Sequence, residues 1–274
     1  MPDGASRASW IAELRGCMAP AGMDTLRSDA RLGLAGISDE SPFRQTALIL
    51  AGFAEIAAGS LDTADGFLAE AEELSEARSS VPGLALALGE RAIVALARGD
   101  GPAAARFVGR GLARVRQAWR EGEVRTRTLH AVSARAALAK GLPAEARLAI
   151  AQVNRMRPRV TAILPILALQ MRFEAIRTCV VLREASAART LLVEVRAILR
   201  ECPDLGTLVL EASDLERSVE SMRETAAGPW TLTTAELRLL AYLPTHLSFR
   251  EIAERLFVSP HTIKSQAMSV YGKL

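Results

Sequence analysis

Aromatic residues make up only 4% of the 274 positions. This scarcity argues against a β-sandwich or barrel, whose strands draw on aromatic and β-branched side chains. Lysine is nearly missing: of 34 basic residues only Lys140, Lys264 and Lys273 are Lys. An arginine excess of this kind follows genome composition as readily as function, and the net charge of +3 is too small to imply nucleic acid by itself. Cys17, Cys179 and Cys202 are odd in number, far apart and without a C-x-x-C or a neighbouring His. That excludes a disulfide framework or a zinc site and fits idle thiols in a reducing compartment. No basic-then-apolar leader opens the chain. The longest apolar stretch, near Ile163–Leu169, falls far short of the roughly 20 residues of a membrane span. The expectation is a cytoplasmic protein with no membrane partner.

Catalytic signatures are missing too. There is no G-x-x-x-x-G-K-[ST], no G-x-G-x-x-G after a strand, no H-E-x-x-H and no Cys/His metal spacing, so no enzyme activity, cofactor or metal is expected. The acidic clusters Glu70…Glu72-Glu73 and Glu211…Glu216 lie beside Arg on helical stretches and read as a solvated face. His130 stands alone.

What the chain has in abundance is alanine, in long helical patterns separated by turns. Turn signals fall at Gly59-Ser60-Leu61-Asp62, Gly99-Asp100-Gly101-Pro102 and Gly141-Leu142-Pro143, 40 and 42 residues apart, and a weaker break at Glu184-Ala185-Ser186 follows 43 residues later. Each separates a long apolar-periodic segment from a shorter Ala-rich one. Two helices joined by a glycine turn, repeating with a period in the low forties, are the mark of an α-solenoid related to tetratricopeptide-like repeats. Further helices near 5–17 and 24–36 make an atypical first pair, and Cys202-Pro203 closes the last. The predicted fold is all-α: about four to five helix pairs over residues 1–204, a connecting helix and linker over 205–228, and a small domain over 229–274.

In the connecting helix Leu205, Leu208, Ala212, Leu215, Val219 and Met222 are spaced as a short heptad seam. Two readings stand: a coiled coil that makes a homodimer, or a stripe that packs on the last repeat. The linker Ala226-Ala227-Gly228-Pro229 follows.

The last forty-odd residues carry three helix starts. Thr233-Thr-Ala-Glu236 is a capping box with Leu232 and Leu237 as its hydrophobic staple, and Ser248-Phe-Arg-Glu251 repeats the device with Leu247 and Ile252. Ser259-Pro260 supplies a cap followed by Pro at the first helical position, stapled by Val258 and Ile263. Helices are predicted over 234–243, closed by Pro244, over 249–256 and over 260–273. The second places Phe249, Ile252, Ala253 and Leu256 on one buried face. Only Phe257-Val258-Ser259 separates it from the third, so the pair reads as a helix-turn-helix. On the third helix Ile263, Ala267, Val270 and Leu274 face inward, while His261, Lys264, Ser265, Met268 and Gly272 face out. This outward face has no acidic residue, which suits a helix that meets base edges and phosphates.

The run Leu232-Thr233…Glu236, Leu247-Ser248…Glu251-Ile252-Ala253…Leu256…Ser259…Thr262-Ile263-Lys264…Val270-Tyr271…Lys273-Leu274 resembles the LuxR-type DNA-binding domain over about 43 residues. The resemblance implies that Thr262 and Lys264 lie at the interface with double-stranded DNA in the major groove, with Ser259, His261, Ser265 and Met268 as companions. Repeats followed by such a domain are similar to large LuxR-family regulators of the maltose-activator type, in which an ATPase module precedes the repeats. Gln266 and Gly272 stand where that family often has His and a basic residue. LuxR-type domains also continue into a fourth helix, so the resemblance implies a truncated domain with three of four helices. The expected function is a transcriptional regulator whose repeats sense or relay a signal. The alternative is a repeat scaffold that binds a protein or small ligand on its surface beside a non-functional DNA module.

Overall fold

The structure, a computed structural model, describes residues 6–18, 22–118, 126–159, 164–226, 234–245 and 247–273. No strand occurs among them. The chain divides into two units, Met1–Val219 and Glu220–Leu274.

The first unit, the body, contains α1 (Arg7–Met18), α2 (Met23–Gly36), α3 (Arg44–Ala57), α4 (Leu61–Ala77), α5 (Val81–Ala97), α6 (Gly101–Gln117), α7 (Arg127–Ala139), α8 (Pro143–Met156), α9 (Pro165–Val181), α10 (Ala185–Glu201) and most of α11 (Thr207–Ala226). Consecutive helices from α1 to α10 pack pairwise, and α3, α5, α7 and α9 also pack each on the next. The body is therefore an all-α solenoid with an inner layer of odd-numbered helices.

One C-terminal capping motif recurs five times and sets the helix pairs. In each copy a residue in the left-handed region ends the helix, and the next N–H reaches back five residues. Ser60 donates to the Glu55 carbonyl, Ser80 to Ser75, Asp100 to Ala95, Leu142 to Ala137 and Glu184 to Cys179. Gly59, Gly99 and Gly141 hold the left-handed position in three copies, as their spacing predicts, whereas Ser79 (φ 53°) and Arg183 (φ 60°) hold it in the other two. The break near 184 looked weak because Arg183, not a glycine, takes that conformation. Three of the helices that follow these caps, α5, α6 and α8, begin with Pro at the first turn, as does α9, where its missing N–H costs no bond. Asp100 also caps α6, accepting from the Ala103 N–H at 2.8 Å.

The inward faces are filled rather than open. In α9 every residue from Pro165 to Ile176 is buried, so the helix is enclosed on all sides over that stretch. The seam of α11 is buried as well: Leu205, Leu208, Ala212, Leu215 and Val219 join the same core as α2, α3, α7 and α9. Each fully buried leucine there contributes roughly 1.5–3 kcal/mol. The seam therefore does more than pack on the last repeat, and as folded it is not free for a coiled coil. Its N-terminal end is tied to the start of the solenoid. The Asp204 carboxylate accepts from the Met23 N–H at 3.2 Å, and the Thr207 hydroxyl donates to the Ile56 carbonyl at 3.2 Å. Gly206 makes this approach feasible: at φ 58°, a Cβ there would lie 2.2 Å from the Ala57 oxygen.

Several charges sit inside the body. Contrary to the expected solvated face, Glu72 is buried and accepts from Arg91 at 2.7 Å, with Arg110 at 2.6 Å, so that it clips α4, α5 and α6 together. The expectation failed because the partner arginines lie on later helices, beyond the reach of a local reading. Glu174 pairs with Arg135 (3.0 Å) and Arg177 (2.8 Å), and Arg177 with Glu211 (2.6 Å), linking α7, α9 and α11. Glu90 is fully buried and accepts from the Gln170 amide at 2.8 Å. Loss of hydration pushes its carboxyl up to about 8, so it is largely protonated at neutral pH.

Candidate nucleic-acid interface

The C-terminal unit holds α12 (Thr234–Leu240), α13 (Phe249–Leu256) and α14 (Pro260–Lys273). Its core is Leu239, Ile252, Ala253, Ile263 and Ala267, flanked by Tyr242, Leu243, Leu247 and Leu256. The second and third helices match the predicted ranges. The first is shorter, since α12 ends at Leu240 and a turn in which Tyr242 N–H donates to the Leu239 carbonyl leads to Pro244. Leu232, Thr233, Ala227-Gly228-Pro229 and Leu274 lie outside the described residues.

Two of the three caps lie within the described residues. The Ser248 N–H donates to Glu251 Oε2 at 2.8 Å, and Ser248 Oγ accepts from the Glu251 N–H at 3.3 Å, completing the capping box of α13. The Ser248 hydroxyl and N–H, both donating to Glu251, hold its carboxyl below the usual range. At α14 the Thr262 N–H donates to Ser259 Oγ at 3.0 Å, and the two hydroxyls share a 2.7 Å bond. Glu236, expected as a capping partner of Thr233, is buried and accepts from the Ser269 hydroxyl at 2.6 Å. It thereby ties α12 to the last turns of α14. Two apolar expectations change. Phe249 and Leu237 are 40% and 55% exposed, because the core of this small unit reaches Ile252 and Leu239 but not one helical turn further.

The turn before α14 holds a residue that the pattern did not single out. Phe257 ends α13 in the left-handed region at φ 56° and is 94% exposed. A left-handed bulky residue costs about 1–2 kcal/mol, and here no burial of the ring offsets it. The signal was available in outline, as an aromatic at the C′ position where Gly or Asn is usual.

The two faces of α14 fall as the helical wheel predicts. Ile263, Ala267 and Val270 are buried, while Ser259, His261, Lys264, Ser265 and Met268 are exposed on the opposite side of α14 or at its cap, and Gly272 is exposed further along. Thr262 is intermediate, its hydroxyl engaged with Ser259. The arrangement is one helix presenting a Lys, a His and small hydroxyls, with no carboxylate on that face. Among the described residues no group of three or more His, Cys, Asp or Glu is placed to hold a metal, and no helix is long and apolar enough to cross a membrane.

In the body, an open groove of about 870 Å³ between α7, α9 and α11 includes Arg135, Arg177 and Asp214, with exposed Val181 and Leu210. His130 is half-buried on α7. The Cys179 thiol is buried and pushed up to about 11 by loss of hydration, which leaves it unreactive at neutral pH.

No protein-family model and no curated protein matches the chain. Among solved structures, it is similar to kinesin light chain nearly identical TPR-like repeats of Podosopora anserina, at 19% identity and a TM-score of 0.40 over 71% of this chain and 94% of that one. A single-substitution variant of the same repeats gives 19% identity and a TM-score of 0.41 over 72% and 94%. The repeat architecture is carried by the chain's own turns and packing.

Proposed function

We propose that the C-terminal unit reads duplex DNA with α14 in the major groove, and that the chain regulates transcription, with the repeat body sensing or relaying a signal. The observation that carries this reading is the exposed face of α14, which is free of carboxylates and set by a cap on a packed three-helix core. The first turn of such a helix reaches base edges, while cations and hydroxyls bond phosphates. Ser259 and His261 stand at that first turn, with Thr262 beside them. Lys264, Ser265 and Met268 follow on the same side. The resemblance to LuxR-type domains adds weight to Thr262 and Lys264. Residues 229–274 carry Arg238, Arg250, Arg255, Lys264 and Lys273 against Glu236, Glu251 and Glu254, a net of +2, which favours a polyanion weakly.

Fluorescence anisotropy of labelled duplexes, titrated with the full chain at increasing salt, tests the reading. Affinity should fall steeply with salt. Lys264→Ala should weaken binding to all duplexes and flatten the salt slope by about one charge. His261→Ala should alter preference among sequences more than overall affinity. If Lys264→Ala and His261→Ala together leave affinity and salt slope unchanged, α14 is not the reading helix.

A further inference from the structure

The body contains a cavity of about 190 Å³ between α1, α3, α5 and the start of α9. Ile49, Leu50, Phe53, Leu86 and Leu167 supply apolar wall, and no charged side chain is among its lining. Close-packed interiors leave few voids larger than a water molecule, and apolar cavities of about 150 Å³ hold benzene. One hydroxyl, that of Thr46, belongs to the lining of this void, and an amide lies behind it. Thr46 lines it, and its hydroxyl makes no hydrogen bond with a described residue. Gln45 precedes it on α3, is 6% exposed and likewise makes none. The Gln45 amide lies against Gly83 on the cavity wall, where a Cβ would come within 1.0 Å of Nε2. Thr46 is half-buried, so its hydroxyl is available to a polar group bound in the void, where a hydrogen bond adds modest affinity.

We infer that this cavity is a binding site for a small neutral molecule, apolar over most of its surface and carrying one hydroxyl or carbonyl that bonds Thr46. The volume limits it to about the size of phenol or a short branched alcohol. The lining excludes a charged ligand, which would be buried without a counter-charge. The site stands independently of whether α14 binds DNA.

Phenol, toluene and benzoate are the probes, added to the full chain and followed by saturable thermal shift and calorimetry. Phenol and toluene should bind, phenol about three- to tenfold more tightly through its hydrogen bond, and benzoate should not. Thr46→Val, nearly isosteric, should bring phenol close to toluene while leaving toluene unchanged. Leu86→Phe should fill the void and abolish both. If that variant fails to fold, the Thr46→Val comparison decides. Absence of saturable binding by both neutral probes, equal affinity for phenol and toluene in the unaltered protein, benzoate binding as tight as phenol, or full binding by a folded Leu86→Phe variant would each overturn the assignment.

Discussion

In the body, a large core consumes most of the apolar surface: α9 is enclosed from Pro165 to Ile176, and the seam of α11 joins the same core, while Leu148, Val181 and Leu210 stay exposed. In the C-terminal unit a core of a few residues leaves Leu237, Phe257, Met268 and Tyr271 more than half exposed. The body can lose one contact and keep a large core, whereas the small unit depends on its caps and ties in larger proportion. The difference assigns stability to the repeats and an unencumbered surface to α14.

The comparison is broken most forcefully at α11. Leu208 is 1% exposed, and Leu208→Ala should cost about 2–5 kcal/mol, seen as a lower denaturant midpoint for the body. An unchanged midpoint would mean that the seam is not part of the folding unit. Next in size is Glu90. Its carboxyl sits at about 8 when folded, against 4.5 for an ordinary glutamate. The stability it contributes is therefore fully present below about 4.5 and is lost as pH rises through about 8. Denaturant midpoints measured across that window should fall less in Glu90→Gln than in the unaltered protein.

Smaller effects belong to the C-terminal unit. Ser248→Ala removes the side-chain half of the capping box and should destabilise α13 by about 1 kcal/mol, read as faster amide exchange over 249–256 with the body unaffected. Phe257→Asn should stabilise the same unit by up to about 1 kcal/mol, since Asn accepts the left-handed conformation more readily. If exchange in that unit slows no more than in the body, the turn carries no strain.

Much of this architecture is legible in the residues. Glycines at 59, 99 and 141 mark three of the five recurrent caps because their left-handed position favours a residue without Cβ. Ser79 and Arg183 take the same conformation unannounced, since the surrounding helix pair imposes it. The faces of α14 follow from a single helical period. What the pattern did not disclose are the long-range pairings. Glu72 looks like surface until Arg91 and Arg110 arrive from later helices, and the enclosure of α9 depends on helices far away in sequence. Phe249 was misassigned because a periodic stripe gives direction but not how far a small core extends.

The ties from Asp204 to Met23 and from Thr207 to Ile56 span 181 and 151 residues of chain. At a synthesis rate of about 5–20 residues per second, the Met23 N–H waits roughly 10–40 seconds for Asp204 to be made. Throughout that interval the growing solenoid lacks the α11 seam that joins its shared core. Slowing translation upstream of residue 204 should therefore raise aggregation more than the same delay placed after it.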